Sequence, residues 1–182
     1  MLDLLQQHLS RCFEAFQQNG SDITSFRSFL QPQEETGLPT NRIPNEVFEV
    51  PLEIPKMLRE LLQLLHKPNL SPQVQALAGG IYSYVFNPFD FINEESVGFL
   101  GFIDDALIVF YGMKLIEDFN PEIRFSITQD IALMNAVEKC EMLLSNDLIA
   151  ALKAYPQQIS GILSTADFSE VGDSGSNKTA VA

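Results

Sequence analysis

Residues 84–116, "YVFNPFDFINEESVGFLGFIDDALIVFYGMKLI", constrain this chain more than any other stretch. The run is apolar enough for a protein core or a lipid bilayer, yet it carries Asp90, Asp104 and Asp105. A membrane span needs about 20 predominantly apolar residues, and the segment after Asp105 offers only "ALIVFYGM" before Lys114. Two adjacent acids near the middle of a span would cost roughly 2.5–3.5 kcal/mol each. The expected form is therefore a soluble helical hairpin packed beneath other helices.

The rest of the chain supplies those helices. Leu2, Leu5, Leu9, Cys12, Phe13 and Phe16 recur at helical spacing before Gly20, predicting a helix over 2–18. Ser21 is a candidate cap for a short second helix carrying Ile23, Phe26 and Leu30. Five prolines interrupt the helical pattern from Gln31 to Pro55, and "VFEVPLEI" alternates enough to read as an extended edge or a packed loop. Met57, Leu58, Leu61, Leu62 and Leu65 form one stripe after Pro55. Ser71 and Pro72 open a helix with Val74, Leu77, Ala78, Ile81 and Val85 on one side, in which Gly79 and Gly80 are expected to admit a close backbone. Further helices are predicted from about Val97 to Glu117, from Thr128 to Leu144 and from Ser145 to about Leu163.

The sum is a mainly α fold: a compact bundle of about six helices around an apolar hairpin at about 71–118, with a Pro-rich extended connection. Residues 1–164 read as a single helical domain, and the small, polar, aperiodic residues 165–182 as a disordered C-terminal tail. Asp plus Glu number 24 against 11 Lys plus Arg, a formal charge of −13 that repels nucleic acid and anionic membranes. The basic residues stand singly, so no nucleic-acid partner is expected, and any contact with a membrane surface would be apolar. Cys12 and Cys140 match no redox or ligand motif and read as buried thiols. His8 and His66 stand alone and read as surface or rim residues. The N-terminal sequence lacks the pattern of a secretory signal, which places the chain in the cytoplasm.

N-P-F-D-F-I followed by G-x-x-G-F-I-D-D, joined to two apolar helices, resembles the YkvA-like family of small bacterial helical domains, most closely over residues 81–117. The matching positions are Pro88, Asp90, Ile92, Gly98, Gly101, Asp104 and Asp105, with Asn93 where that family usually has proline. The resemblance implies a bacterial helical protein, soluble or membrane-associated, and no particular reaction, since the family is described as of unknown function.

Two readings of the acids compete. In the first they are structural: Asn87 caps, Pro88 takes the first helical position, Asp90 reaches back to the cap, and Asp104 and Asp105 sit in a first helical turn, favoured by about 0.3–1 kcal/mol each. Replacing either of the pair by Asn would then cost no more than about 1 kcal/mol. In the second, the helix begins at Val97, so that Gly98, Gly101, Asp105, Ile108 and Gly112 form one seam holding a carboxylate. Asp104 leaves the same segment towards Leu100, Leu107 and Tyr111, and the partners of both acids would be backbone amides, the Tyr82, Tyr84 or Tyr111 hydroxyls, Lys114, or a divalent cation. The structural reading is favoured, and no cofactor is expected unless a divalent cation binds Asp90, Asp104 and Asp105. The corresponding function is a non-enzymatic interaction or scaffold module with a protein partner. Its alternatives are a metal-dependent hydrolase-like enzyme built on the Asp cluster and a peripheral membrane protein inserting the Phe-rich turn. Oligomeric state is not encoded in any motif.

Overall fold

A computed structural model describes residues 1–18, 24–31, 43–87 and 91–165, the last with side chains through Gly161. Its α-helices are α1 (Leu2–Gln18), α2 (Asn45–Leu52), α3 (Ile54–Leu65), α4 (Pro72–Tyr84), the single turn α5 (Glu94–Val97), α6 (Phe102–Phe119), α7 (Ile131–Leu143) and α8 (Asn146–Thr165). Short 3-10 turns lie at Ser25–Phe29, Gly98–Gly101 and Ile127–Gln129. No strand occurs among the described residues; one isolated antiparallel bridge joins Leu30 to Leu144. In it the Gln31 amide donates to Leu143 (2.8 Å) and the Ser145 amide to Phe29 (2.8 Å), tying the first 3-10 turn to the α7–α8 connection.

The mainly α expectation holds, and its centre is α6. Every residue from Phe102 to Phe110 is buried, and Gly112, Met113, Ile116 and Glu117 extend the buried side to the last turn. A helix that is apolar all round belongs inside a protein or a membrane. Here α2, α3, α4 and α8 surround it. Among the described residues no helix is long and apolar enough to cross a membrane.

The α1 periodicity is also realised. Leu9 is buried, the other apolar residues of its stripe pack partly against the core, and Phe13 and Phe16 meet Phe99 at 5.0 and 6.0 Å between ring centroids. His8 and His66 are exposed, as read from sequence. Cys140 is buried, and Cys12 is partly so.

Several elements differ from the sequence reading. The segment read as an extended edge is helix α2, because Val47, Val50, Pro51 and Ile54 lie at i, i+3, i+4 and i+7, and all four are buried. Pro51 is tolerated there because it stands in the last turn, where only one backbone hydrogen bond is forgone. Thr128 is not in α7, which begins after Asp130 has capped the amides of Ala132 (2.9 Å) and Leu133 (3.3 Å). Ser21 and Ile23 lie outside the described residues, as do residues 166–182 of the expected tail.

The glycines sort by direction rather than by composition. A Cβ on Gly112 would lie 2.2 Å from Ile81 Cδ1, so this is where α4 and α6 approach. A Cβ on Gly80 would lie 2.9 Å from the Ile159 side chain of α8, whereas one on Gly79 would meet nothing within 4 Å. The close approach expected of both residues of the pair belongs to Gly80 alone, and its neighbour there is a side chain.

Candidate functional site at the buried aspartates

The chain leaves α4 through a turn in which the Phe86 and Asn87 amides donate to Ser83 (3.2 Å) and Tyr84 (2.8 Å). Pro88 and Asp90 lie outside the described residues. Phe91 and Ile92 form a bend, after which Asn93 accepts from the Glu95 amide (2.7 Å) and caps α5. Asn93, which stands where the resembled family has proline, is thus the residue that starts this turn. Gly98 ends it at φ +64°, ψ −138°, a combination that side-chain-bearing residues avoid. Gly101 then packs on α5 so tightly that a Cβ there would be 2.6 Å from Glu94 Cα.

These two glycines correct the single-helix seam. The helix does not run from Val97; it begins at Phe102, after a left-handed break and a 3-10 turn. Only Asp105, Ile108 and Gly112 of the expected seam share α6. Asp104 and Asp105 do fall in its first turn, as the structural reading required.

Asp104 caps something other than its own helix. Its side chain is fully buried. Oδ2 accepts from the Tyr84 hydroxyl (3.0 Å), the Phe91 amide (3.0 Å) and the Ile92 amide (3.2 Å). One carboxylate oxygen therefore holds the end of α4 and both amides of the bend against the start of α6. Burial, and next the charge of Asp104, push the Tyr84 hydroxyl well above its ordinary pKa, so it remains a donor. Asp105 is buried beside it, at 1% exposure. Of the partners considered from sequence, Tyr84 and backbone amides are the ones realised for Asp104. The Tyr111 hydroxyl donates to Glu141 instead (2.8 Å) and Lys114 to Glu117 (3.2 Å).

Above this node the surface is aromatic. Phe86 and Phe91 are 44% and 39% exposed. Phe86 packs at a tilt on Tyr82 at 5.3 Å, while Phe91 and Tyr84 both pack on Tyr155 of α8, at 6.1 and 4.8 Å.

A third buried carboxylate escaped the sequence reading. Glu117, 5% exposed, accepts from the Phe125 amide (2.9 Å), the Thr128 hydroxyl (2.7 Å) and Lys114. Burial by itself would raise its pKa, but those three donors outweigh it and hold the carboxyl below the ordinary glutamate range. Its signal in the sequence is its place on the apolar line Val109, Met113, Glu117, at successive i+4 steps. Glu117 also borders a cleft of about 400 Å³ with Lys114, Asp118, Pro121, Arg124 and Gln129. Among the described residues, no group of three or more His, Cys, Asp and Glu side chains is placed to hold a metal ion.

Residues 75–111 match the model of a family described as a protein of unknown function (DUF1232). The match spans a segment of the chain that includes Ile92, Gly98, Gly101, Asp104 and Asp105, and it is consistent with the YkvA-like resemblance of the hairpin. No curated protein and no solved structure gives a match.

Proposed function

We propose that this protein is a non-enzymatic interaction module in which the buried acids of the hairpin fix the shape of an aromatic tip. The observation that supports it is the position of Asp104. Its oxygen is enclosed by the Tyr84 hydroxyl and the two bend amides, under the exposed rings of Phe86 and Phe91. Three donors from within the fold occupy Asp104 Oδ2, so that oxygen has its partners without a substrate or a cation. A catalytic or Lewis-acid role needs the opposite, acids that reach a common point in a cleft.

The test is thermal unfolding of the wild type and Asp104→Asn in Mg²⁺, Mn²⁺, Ca²⁺ or chelator. A cation that binds only the folded state raises the melting temperature by mass action. The module reading expects the same midpoint in all four conditions. A rise with one cation that disappears in Asp104→Asn and in Asp90→Asn would replace it with a metal site.

A further inference from the structure

Beyond the far end of α6, two cations line a cleft without a carboxylate to pair with. The end of α3 and the connection that returns from α6 to α7 enclose about 240 Å³ between Glu60, Gln63, Leu64 and Lys67 on one side and Ile123–Ser126 on the other. Leu64, Ile123 and Phe125 are buried and form an apolar floor, whereas Lys67 and Arg124 are exposed. The connection is pinned on both sides. Glu60 accepts from the amide (2.8 Å) and the hydroxyl of Ser126, and buried Glu117 accepts from the Phe125 amide (2.9 Å). A preformed cleft has little ordering entropy to lose on binding.

The charges around the cleft follow from contacts. Lys56, Arg59, Lys114, Lys139 and Lys153 each pair with a carboxylate. Lys67 and Arg124 make no ion pair among the described residues, although the chain carries a net charge of −13. Arg124 uses Nη1 to donate to the Ile123 carbonyl (2.9 Å). Glu60 is the one carboxylate lining the cleft, and both its oxygens are engaged by Ser126. Glu122, in the same connection, is exposed and does not line it. Arg124 also borders the cleft of about 400 Å³ at Glu117, but there Lys114 is paired with Glu117 (3.2 Å) and Asp118 adds a second acid, so the charges balance. The cleft beside α3 keeps two cations against one acid.

We infer that this cleft binds a small organic oxyanion, a carboxylate or a phosphate ester, with its acidic group held by Arg124 and Lys67 and its short carbon body on Leu64, Ile123 and Phe125. A guanidinium presents paired N–H donors that match a carboxylate or phosphate, and an ammonium adds a compact positive charge. The volume is below the roughly 300–1,000 Å³ of sites for drug-sized ligands, which selects a small metabolite over a nucleotide or a peptide. A polyanion would extend past the two cations onto a chain of strongly negative net charge and is disfavoured. The site lies at the opposite end of α6 from Asp104 and stands whether or not the interaction-module reading does.

The experiment is an NMR-detected titration of the full chain with glutarate, propyl phosphate and inorganic phosphate, with sodium chloride at matched ionic strength as the control. Glutarate or propyl phosphate is expected to shift the Lys67 and Ile123–Ser126 amides saturably. Arg124→Gln and Lys67→Gln should each lower that affinity at least tenfold, and Lys56→Gln, at the start of α3, should leave it unchanged. Both cations are exposed and unpaired, so the unfolding midpoints of the two variants without ligand should match the wild type. No saturable shift with either organic anion up to about 10 mM overturns the inference, as does equal affinity in the wild type and either Gln variant. Shifts reproduced by sodium chloride reduce the effect to screening and overturn it too. Equal affinity for inorganic and propyl phosphate would show that the apolar floor contributes nothing and overturn the organic ligand. Binding of heparin that Arg124→Gln abolishes, with no response to the small anions, overturns it in favour of a polyanion.

Discussion

Replacing Asp104 by Asn separates a helix-start acid from a cross-chain strut. A helix-start carboxylate contributes about 0.3–1 kcal/mol through the helix dipole. The observed Asp104 oxygen accepts from one hydroxyl and two amides, and its side chain is fully buried. Hydrogen bonds to a charged group contribute about 1.5–3 kcal/mol each, against about 0.5–1.5 kcal/mol for neutral pairs, so three bonds reduced to neutral strength lose about 1 kcal/mol apiece. The new amide nitrogen also brings donors into a site already full of donors. The expected loss is about 2–4 kcal/mol, and Asp104→Ala, which leaves the donors without this acceptor, should lose about 3–5 kcal/mol. Urea unfolding followed by circular dichroism measures both, with Tyr84→Phe completing a double-mutant cycle whose coupling should be about 1 kcal/mol. A loss below about 1 kcal/mol for Asp104→Asn would return this residue to the helix-dipole role and refute the strut.

Three further outcomes follow from the packing and the charges. Because the folded pKa of Glu117 is depressed, its contribution is present above the unfolded value near pH ~4.3 and is lost as pH falls through the folded pKa. Glu117→Gln should therefore destabilise at neutral pH and flatten the acid limb of a pH–stability curve; an unchanged limb would contradict its donor set. Gly101→Ala, which meets the Glu94 backbone, should cost about 3 kcal/mol, while Gly79→Ala, which meets nothing, should stabilise by up to about 1 kcal/mol, both read from denaturation midpoints. Burial pushes the Cys140 thiol up to about 12, so alkylation of that residue should await unfolding, and modification at the rate of a free thiol would show that α7 opens.

What could be read from sequence was local. The α1 stripe, the Ser71 cap and the central position of α6 follow from periodicities and caps confined to one segment. The Ser71 side chain does accept from the Val74 amide at 3.2 Å. Helix α2 was obscured because its prolines outweighed a four-residue apolar period. The break at Gly98 was obscured because a glycine in an apolar run does not announce the sign of its φ. The partners of Asp104 lie 12, 13 and 20 residues earlier in the chain, so no helical spacing could pick them from the available hydroxyls and amides. Glu117 is similar, its donors supplied by the connection that returns from α6 to α7.

The most direct test of the strut is hydrogen exchange at two backbone amides. Phe91 is a partly exposed residue in a bend, outside any helix, and its amide would exchange rapidly unless Asp104 holds it. NMR-detected exchange should find the Phe91 and Ile92 amides protected in the wild type to nearly the level of the α6 amides, and should find that protection lost selectively in Asp104→Asn. Exchange of both wild-type amides at the rate of an unstructured peptide would contradict the assignment of Asp104 as the residue that fixes the tip.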